Sequence, residues 1–243
     1  MIKQKGATLI VVLILLVALT VIGTLAIRQS IVSLSIATNG QAQQLLIQNS
    51  DAAIFHIEDP DELKGYRSGI GLFGYALQTN QKGKELVFCY RGSRPRLYDK
   101  SDTSVIFAEG TQIINNSEGT AGYCRVGETA NFFTSNRRAV LTQISVVARK
   151  GDVSDVKPFQ YYVRGLDPET SKSEPPERIV VSAISLMPAL STAADADINE
   201  CLSNRLSNSN SNDAGISLTA CLTRLNVPFV THVTEYILGS KYS

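Results

Sequence analysis

Between Lys5 and Arg28 the chain carries no charge: Ala7 to Ile27 is an unbroken run of twenty-one uncharged residues, most of them Leu, Ile, Val or Ala. At about 1.5 Å per helical residue the run reaches roughly 31 Å, against about 30 Å for the hydrocarbon core of a bilayer. Such a helix can span. An export machine could cut behind the run, leave it as an anchor, or cut in front of it.

The flanks separate these fates. A secretory signal has an apolar region of about 7 to 15 residues and a small-x-small box behind it. This run is longer, and the "AIRQSIVSLS" that follows offers no clear box. Lys3 and Lys5 precede the run, and Arg28 is the only Lys or Arg between Ile27 and Lys64. The positive-inside rule therefore places the N-terminus in the cytoplasm and the rest of the chain outside. With 243 residues and 44% hydrophobic content there is room for one membrane element and a globular domain of ordinary size. Removing residues 1–6 takes away Lys3 and Lys5 and no acid, leaving 21 basic against 22 acidic side chains. No bulk positive charge points to nucleic acid.

Beyond Arg28 the helical pattern continues. Ile27, Ile31 and Leu34 sit at helical spacing, and after Asn39-Gly40 a one-sided stripe of Ala42, Leu45, Leu46, Ala53 and Ile57 resumes. Pro60 sets the end near Asp59, because the residue before proline disfavours helical geometry. Ala7 to Glu58 is expected as one helix of about 78 Å, with a bend at Gly40 as an option. The rest reads as an antiparallel sheet. Glu85 to Arg91, Ala139 to Arg149, Pro158 to Arg164, Arg178 to Leu186 and Phe229 to Leu238 are rich in β-branched and aromatic residues, with turn residues between them. The fold class is α+β: a long N-terminal hydrophobic helix packed on a C-terminal antiparallel domain.

Four cysteines, Cys89, Cys124, Cys201 and Cys221, lie on the expected outer side. An even number in an oxidising compartment favours disulfides. Of three connectivities the local one, Cys89 to Cys124 and Cys201 to Cys221, is preferred, and the sequence leaves the others open. No C-x-x-C spacing supports zinc. The Ser-Asn run between Cys201 and Cys221 is too polar to fill a core and reads as an exposed loop.

Other motifs weaken on inspection. "GIGLFG" (Gly69 to Gly74) fits G-x-G-x-x-G, yet no strand precedes it and no acid follows twenty residues on, so a flexible loop is expected. "DADINE" (Asp195 to Glu200) opens like a calcium loop but has Glu200 where glycine is needed and Leu206 where the bidentate acid belongs; a polar linker is expected, with noncanonical calcium binding as the minor alternative. "YRGSRPRLY" sets Arg91, Arg94 and Arg96 between Tyr90 and Tyr98, residue types that meet phosphates and bases, but three charges neutralise few phosphates. A solvated loop is the expectation there, and DNA contact is disfavoured. His56 is placed on a helix surface and His232 on a partly exposed strand face, without evident partners, and no G-x-S-x-G occurs. Neither a cofactor nor a catalytic constellation is expected.

A short basic leader ending in Lys5-Gly6, followed at once by a membrane-length apolar helix, resembles the class III signal of type IV prepilins, which prepilin peptidase cuts after the glycine. The stretch "TNGQAQQLLIQNSDAAI" is similar to the corresponding part of PilX-type minor pilins, with Gln48, Asp51, Ala52, Ala53 and Ile54 on the family's pattern. The resemblance covers about the first quarter of the chain. It implies a leader at residues 1–6, cleavage between Gly6 and Ala7 with N-methylation, a membrane or filament-core helix at 7–27 and its continuation at 28–58. A periplasmic β-rich domain at 59–243 follows, in which the loop 201–221 resembles the disulfide-bounded loop of pilins. It further implies a non-enzymatic subunit, held in the bacterial inner membrane before entering the pilus. Its partners would be prepilin peptidase, inner-membrane lipid, other minor pilins and, for some members, an adhesin at the tip. Motility, adhesion and DNA uptake would follow indirectly.

Two residues depart from the pattern. Most pilins have Phe or Met after the scissile bond and Glu at the fifth position beyond it, where this chain has Ala7 and Val11. Loss of that Glu resembles the K-type pseudopilin of type II secretion, a tip subunit with calcium sites, which stands as the alternative within the superfamily. The alternative from another class is a membrane-anchored periplasmic enzyme or binding protein.

Overall fold

The computed structural model describes residues 7–91, 96–110, 112–117, 122–132, 139–149, 177–209, 213 and 215–238. By its internal contacts the chain divides into two units, Met1–Gln44 and Leu45–Ser243, with the boundary inside the first helix. That helix, α1, is Ala7–Ile57 and has no acidic residue in its first turn. In the first unit it runs uninterrupted through Asn39 and Gly40. Its large apolar side chains there, Leu9 to Ile36, all stand exposed. A helix apolar all round has no polar face to give to water, so this part calls for an apolar surrounding.

The second unit is built on a six-stranded antiparallel sheet ordered β3-β2-β1-β4-β5-β6. The strands are β1 (Glu85–Cys89), β2 (Ser104–Glu109), β3 (Gln112–Ser117), β4 (Leu141–Ala148), β5 (Glu177–Leu186) and β6 (Phe229–Leu238). Four of them fall where runs of Val, Ile and Phe place them. The expected strand at Pro158 to Arg164 lies outside the described residues. β2 and β3 are an addition: Glu109 pairs with Gln112, and Gly110, which follows Glu109, has φ 61°. Glycine enters that region without the Cβ penalty.

Both faces of the sheet are covered. On one, the last three turns of α1 present Leu46, Asn49, Ser50, Ala53, Ile54 and Ile57, buried at spacings of three and four. Leu45, expected in that stripe, stays outside it. Ala53, Ile54 and Ile57 join Leu86, Phe88, Ile144, Val146, Ile179 and Val181 in one core. Asp59, whose carboxylate accepts the Asp61 N–H, and Pro60 then open a short helix α2 (Pro60–Tyr66), followed by α3 (Leu72–Ala76). The glycine motif is therefore no flexible loop. A Cβ on Gly71 would lie 2.0 Å from the Gly65 carbonyl oxygen, and one on Gly74 would lie 1.8 Å from that of Ser68. These glycines let α2 and α3 fold tightly together, and their neighbours Leu72 and Phe73 enter the core.

On the other face lie α4 (Asp195–Asn204) and α5 (Leu218–Arg224). Ile198, Cys201, Leu202, Leu218, Cys221 and Leu222 pack there on Leu141, Ile184 and Leu186. "DADINE" is thus the start of a helix rather than a polar linker, with Asp195 and Asp197 in the first turn, where the helix dipole favours acids. Helical backbone cannot wrap its side chains around one cation as a calcium loop does.

Candidate functional site

Two features remain once the core is filled: the uncovered first part of α1, and the face where both disulfides gather. α1 begins at Ala7; Lys5 and Gly6 lie outside the described residues. Val11 sits one turn into the helix and is 55% exposed among other exposed apolar side chains, Leu9 to Leu16. The helix is long and apolar enough to cross a bilayer, and among the described residues none of its most apolar stretch is buried.

The structure joins Cys89 to Cys124 and Cys201 to Cys221. The first bond ties the 122–132 segment to the end of β1. The second ties α4 to α5, so residues 202–220 form a covalently closed loop whose base is also bridged by Leu206 N–H to the Ile216 carbonyl and Leu218 N–H to the Leu206 carbonyl. Toward both cysteines this segment departs from the exposed loop expected of it; Asp213 and Gly215 are exposed, and 210–212 and 214 lie outside the described residues. Leu202, Ser203, Ser207, Ser217 and Leu218 are all buried.

A polar seam on the sheet explains how a Ser- and Asn-rich segment can be buried. In the odd-numbered positions of β1 and β4, Glu85, Gln143 and Ser145 face the same side, and Ser182 of β5 lies opposite Ser145. Gln143 is 1% exposed, accepts the Cys124 N–H at 3.0 Å on its Oε1 and donates from Nε2 to the Leu202 carbonyl at 3.0 Å. Asn115 of β3 donates to the next carbonyl, Ser203, at 2.6 Å. The last carbonyls of α4, which no intrahelical N–H can reach, find their donors on the sheet. Glu85, 4% exposed, accepts from Ser145 Oγ at 3.0 Å and from the backbone N–H groups of Ser207 and Asn208 at 2.8 and 2.9 Å. Asn208 completes the seam, donating to Ser145 Oγ and accepting from Ser182 Oγ at 2.6 Å. Burial pushes the Glu85 carboxyl above the ordinary glutamate value, and these donors offset only part of that.

None of Glu85, Gln143, Ser145, Ser182 or Asn208 stands out as a motif. The legible signal is polar residues two apart, as in "LTQISVV", within strands that are otherwise apolar on both faces.

The remaining expected sites resolve as follows. Arg91 Nε donates to Asn131 Oδ1 at 2.9 Å and its guanidinium meets Asp102 at 3.3 Å, while Tyr90 and Tyr98 are buried. That stretch is not a solvated loop at Arg91, and its tyrosines cannot stack on bases. Arg94 lies outside the described residues, and Arg96 is exposed. His56 is half-buried, its ring edge-on to Tyr90 at 6.0 Å. His232 has a partner that sequence separation hid: its Nδ1 lies 2.7 Å from Asp51 Oδ1. Tyr236 likewise donates to Glu58 at 2.9 Å, and its proton affinity is raised by burial and by that carboxylate. Both contacts pin the end of α1 to β6. Among the described residues no group of three His, Cys, Asp or Glu side chains has the geometry of a metal site.

Residues 5–55 match the family model described as PilX N-terminal. No curated protein and no solved structure matches the chain.

Proposed function

We propose, from the premise that residues 5–55 are a PilX-type pilin N-terminus, that this chain is a minor pilin, a structural subunit of a type IV pilus rather than an enzyme. One observation carries the reading. The family match coincides with a helix, described over Ala7–Ile57, whose large apolar side chains from Leu9 to Ile36 are exposed. About 20 apolar residues stripped of water need lipid or other helices around them, and a pilin meets first one and then the other. Prepilin peptidase removes residues 1–6, the helix holds the subunit in the inner membrane with its domain in the periplasm, and the same helix later enters the filament core. The subunit acts with other minor pilins to prime assembly, at or beside the tip.

Position 11 supports the tip assignment. In pilins the glutamate found there pairs with the N-terminal amine of a neighbouring subunit, and a carboxylate without that partner costs about 2.5–3.5 kcal/mol in a bilayer. Val11 avoids the burden and forgoes the pair. The same substitution favours a second reading, the K-type pseudopilin of a secretion system. The test of the shared premise is processing. Amino-terminal sequencing of the membrane or filament fraction should find Ala7 first, and Gly6→Val should leave uncut precursor, because a subsite for a residue without a side chain excludes a larger one. An intact Met1, or a new terminus beyond Ile27, refutes the pilin reading. Copurification with sheared pili against loss of protein secretion on deletion separates the two machines.

A further inference from the structure

Glu85 is the one carboxylate of the buried seam, and its surroundings are neutral on each side. Ile106 of β2 and Val147 of β4 flank it in the sheet register, Ser145 and Ser182 occupy the next row, and Ser207 and Asn208 lie over it. The groups that act on its carboxyl are hydroxyl and backbone donors, with no cation among them. Its two covering donors belong to the first half of the loop that Cys201 and Cys221 close, more than 120 residues away in sequence. Among the groups that hold this part of the loop to the sheet, Glu85 is the one that can ionise, beside the neutral Gln143, Asn115, Ser145 and Ser182.

We propose that Glu85 is a proton-operated latch: the loop segment at Ser207 and Asn208 sits most firmly on the sheet when Glu85 is protonated and loosens as Glu85 ionises. Docking the loop strips water from the carboxylate and returns two N–H dipoles, which offset only part of that loss, and no positive charge, whereas lifting the loop returns it to water. An ion is disfavoured by the first state and not by the second. The neutral acid keeps its partners. A hydroxyl donates as well as accepts, so Ser145 Oγ can receive the proton of a neutral Glu85 while the Ser207 and Asn208 N–H groups still meet carboxyl oxygens. By linkage, the opening equilibrium of the loop shifts about tenfold for each pH unit between the ordinary glutamate value and the raised one in the docked state, then levels off. The latch does not depend on the pilin reading, and its failure would leave that reading as it stands.

Hydrogen–deuterium exchange on the full-length oxidised protein in detergent micelles tests it, followed across the glutamate range and corrected for intrinsic rates. The amides of Ser207 and Asn208 should lose protection as pH rises through the window, and should exchange faster than β5 amides throughout, because the latch opens without unfolding the sheet. Glu85→Gln, which keeps an acceptor for the N–H groups and cannot ionise, should flatten the profile. Ser145→Ala, which removes one donor to the anion, should extend the window to higher pH; it also serves if the glutamine variant does not fold. Protection at Ser207 and Asn208 that is level or rises with pH in the parent overturns the latch. So does a glutamine variant with the parent's profile, or protection at Ser207 and Asn208 equal to that of β5 amides, which would mean exchange through global unfolding.

Discussion

Gln143 offers the sharpest measure of how the two disulfide-bearing segments are held. Its amide is the shared partner of the Cys124 N–H and the Leu202 carbonyl, both at 3.0 Å, and it is 1% exposed. Gln143→Met keeps the length of the side chain and removes both partners at once. Each orphaned buried group costs about 1–3 kcal/mol, so the raw loss is about 2–6 kcal/mol. Burying an apolar thioether in place of an amide returns on the order of 1 kcal/mol. A net loss of about 1–5 kcal/mol is expected. With a urea slope of about 2 kcal/mol per molar, the midpoint should fall by roughly 0.5–2.5 M at unchanged slope. The chain has no Trp and nine Tyr, so unfolding of the full-length oxidised protein in micelles is followed by tyrosine fluorescence. Gln112→Met, on the exposed start of the edge strand β3, serves as control and should lie within about 0.5 kcal/mol of the parent. A Gln143 variant as stable as that control would refute the claim that this amide satisfies the end of α4 and the 124 segment.

Three further outcomes follow from the same structure. Replacing Cys201 and Cys221 by Ser together should lower stability by about 3 kcal/mol in the chain-entropy account, and non-reducing peptide mapping of the parent should recover the 89–124 and 201–221 links. Because burial raises the Glu85 carboxyl, the folded state holds its proton more tightly than the unfolded chain. Global stability should therefore fall as pH rises from the ordinary glutamate value through the raised one and stay level above it, an effect visible in urea midpoints and lost in Glu85→Gln. Val11→Glu should bring no gain in filament incorporation by quantitative mass spectrometry of sheared fractions if the subunit has nothing above it, whereas a large rise in copies would place it in the shaft.

The sequence marked elements whose side chains follow one period over many residues. The uncharged run marked α1 from Ala7 onward, Pro60 marked its end, and runs of Val, Ile and Phe marked β1, β4, β5 and β6. The β2–β3 hairpin escaped because "QIINNS" is polar for a strand, although Gly110 marks its turn. α2 to α5 escaped for another reason. Helices of five to ten residues are marginal on their own, and these are held by caps such as Asp59 and Ser217 and by the face each buries.

What the sequence determined by itself is local: the membrane-length helix, the likeness of its start to a pilin leader, and strands long enough to declare their period. Only the tertiary structure decided the fate of the Ser-Asn segment. Read alone, it has too little apolar surface to repay the entropy of ordering. Folded, it meets Glu85, Gln143, Ser145 and Ser182 on one face of the sheet, and its backbone groups find partners more than fifty residues away in the chain. Hydrogen bonds of that kind depend on where antiparallel strands bring side chains together, a relation between distant positions that no local pattern encodes.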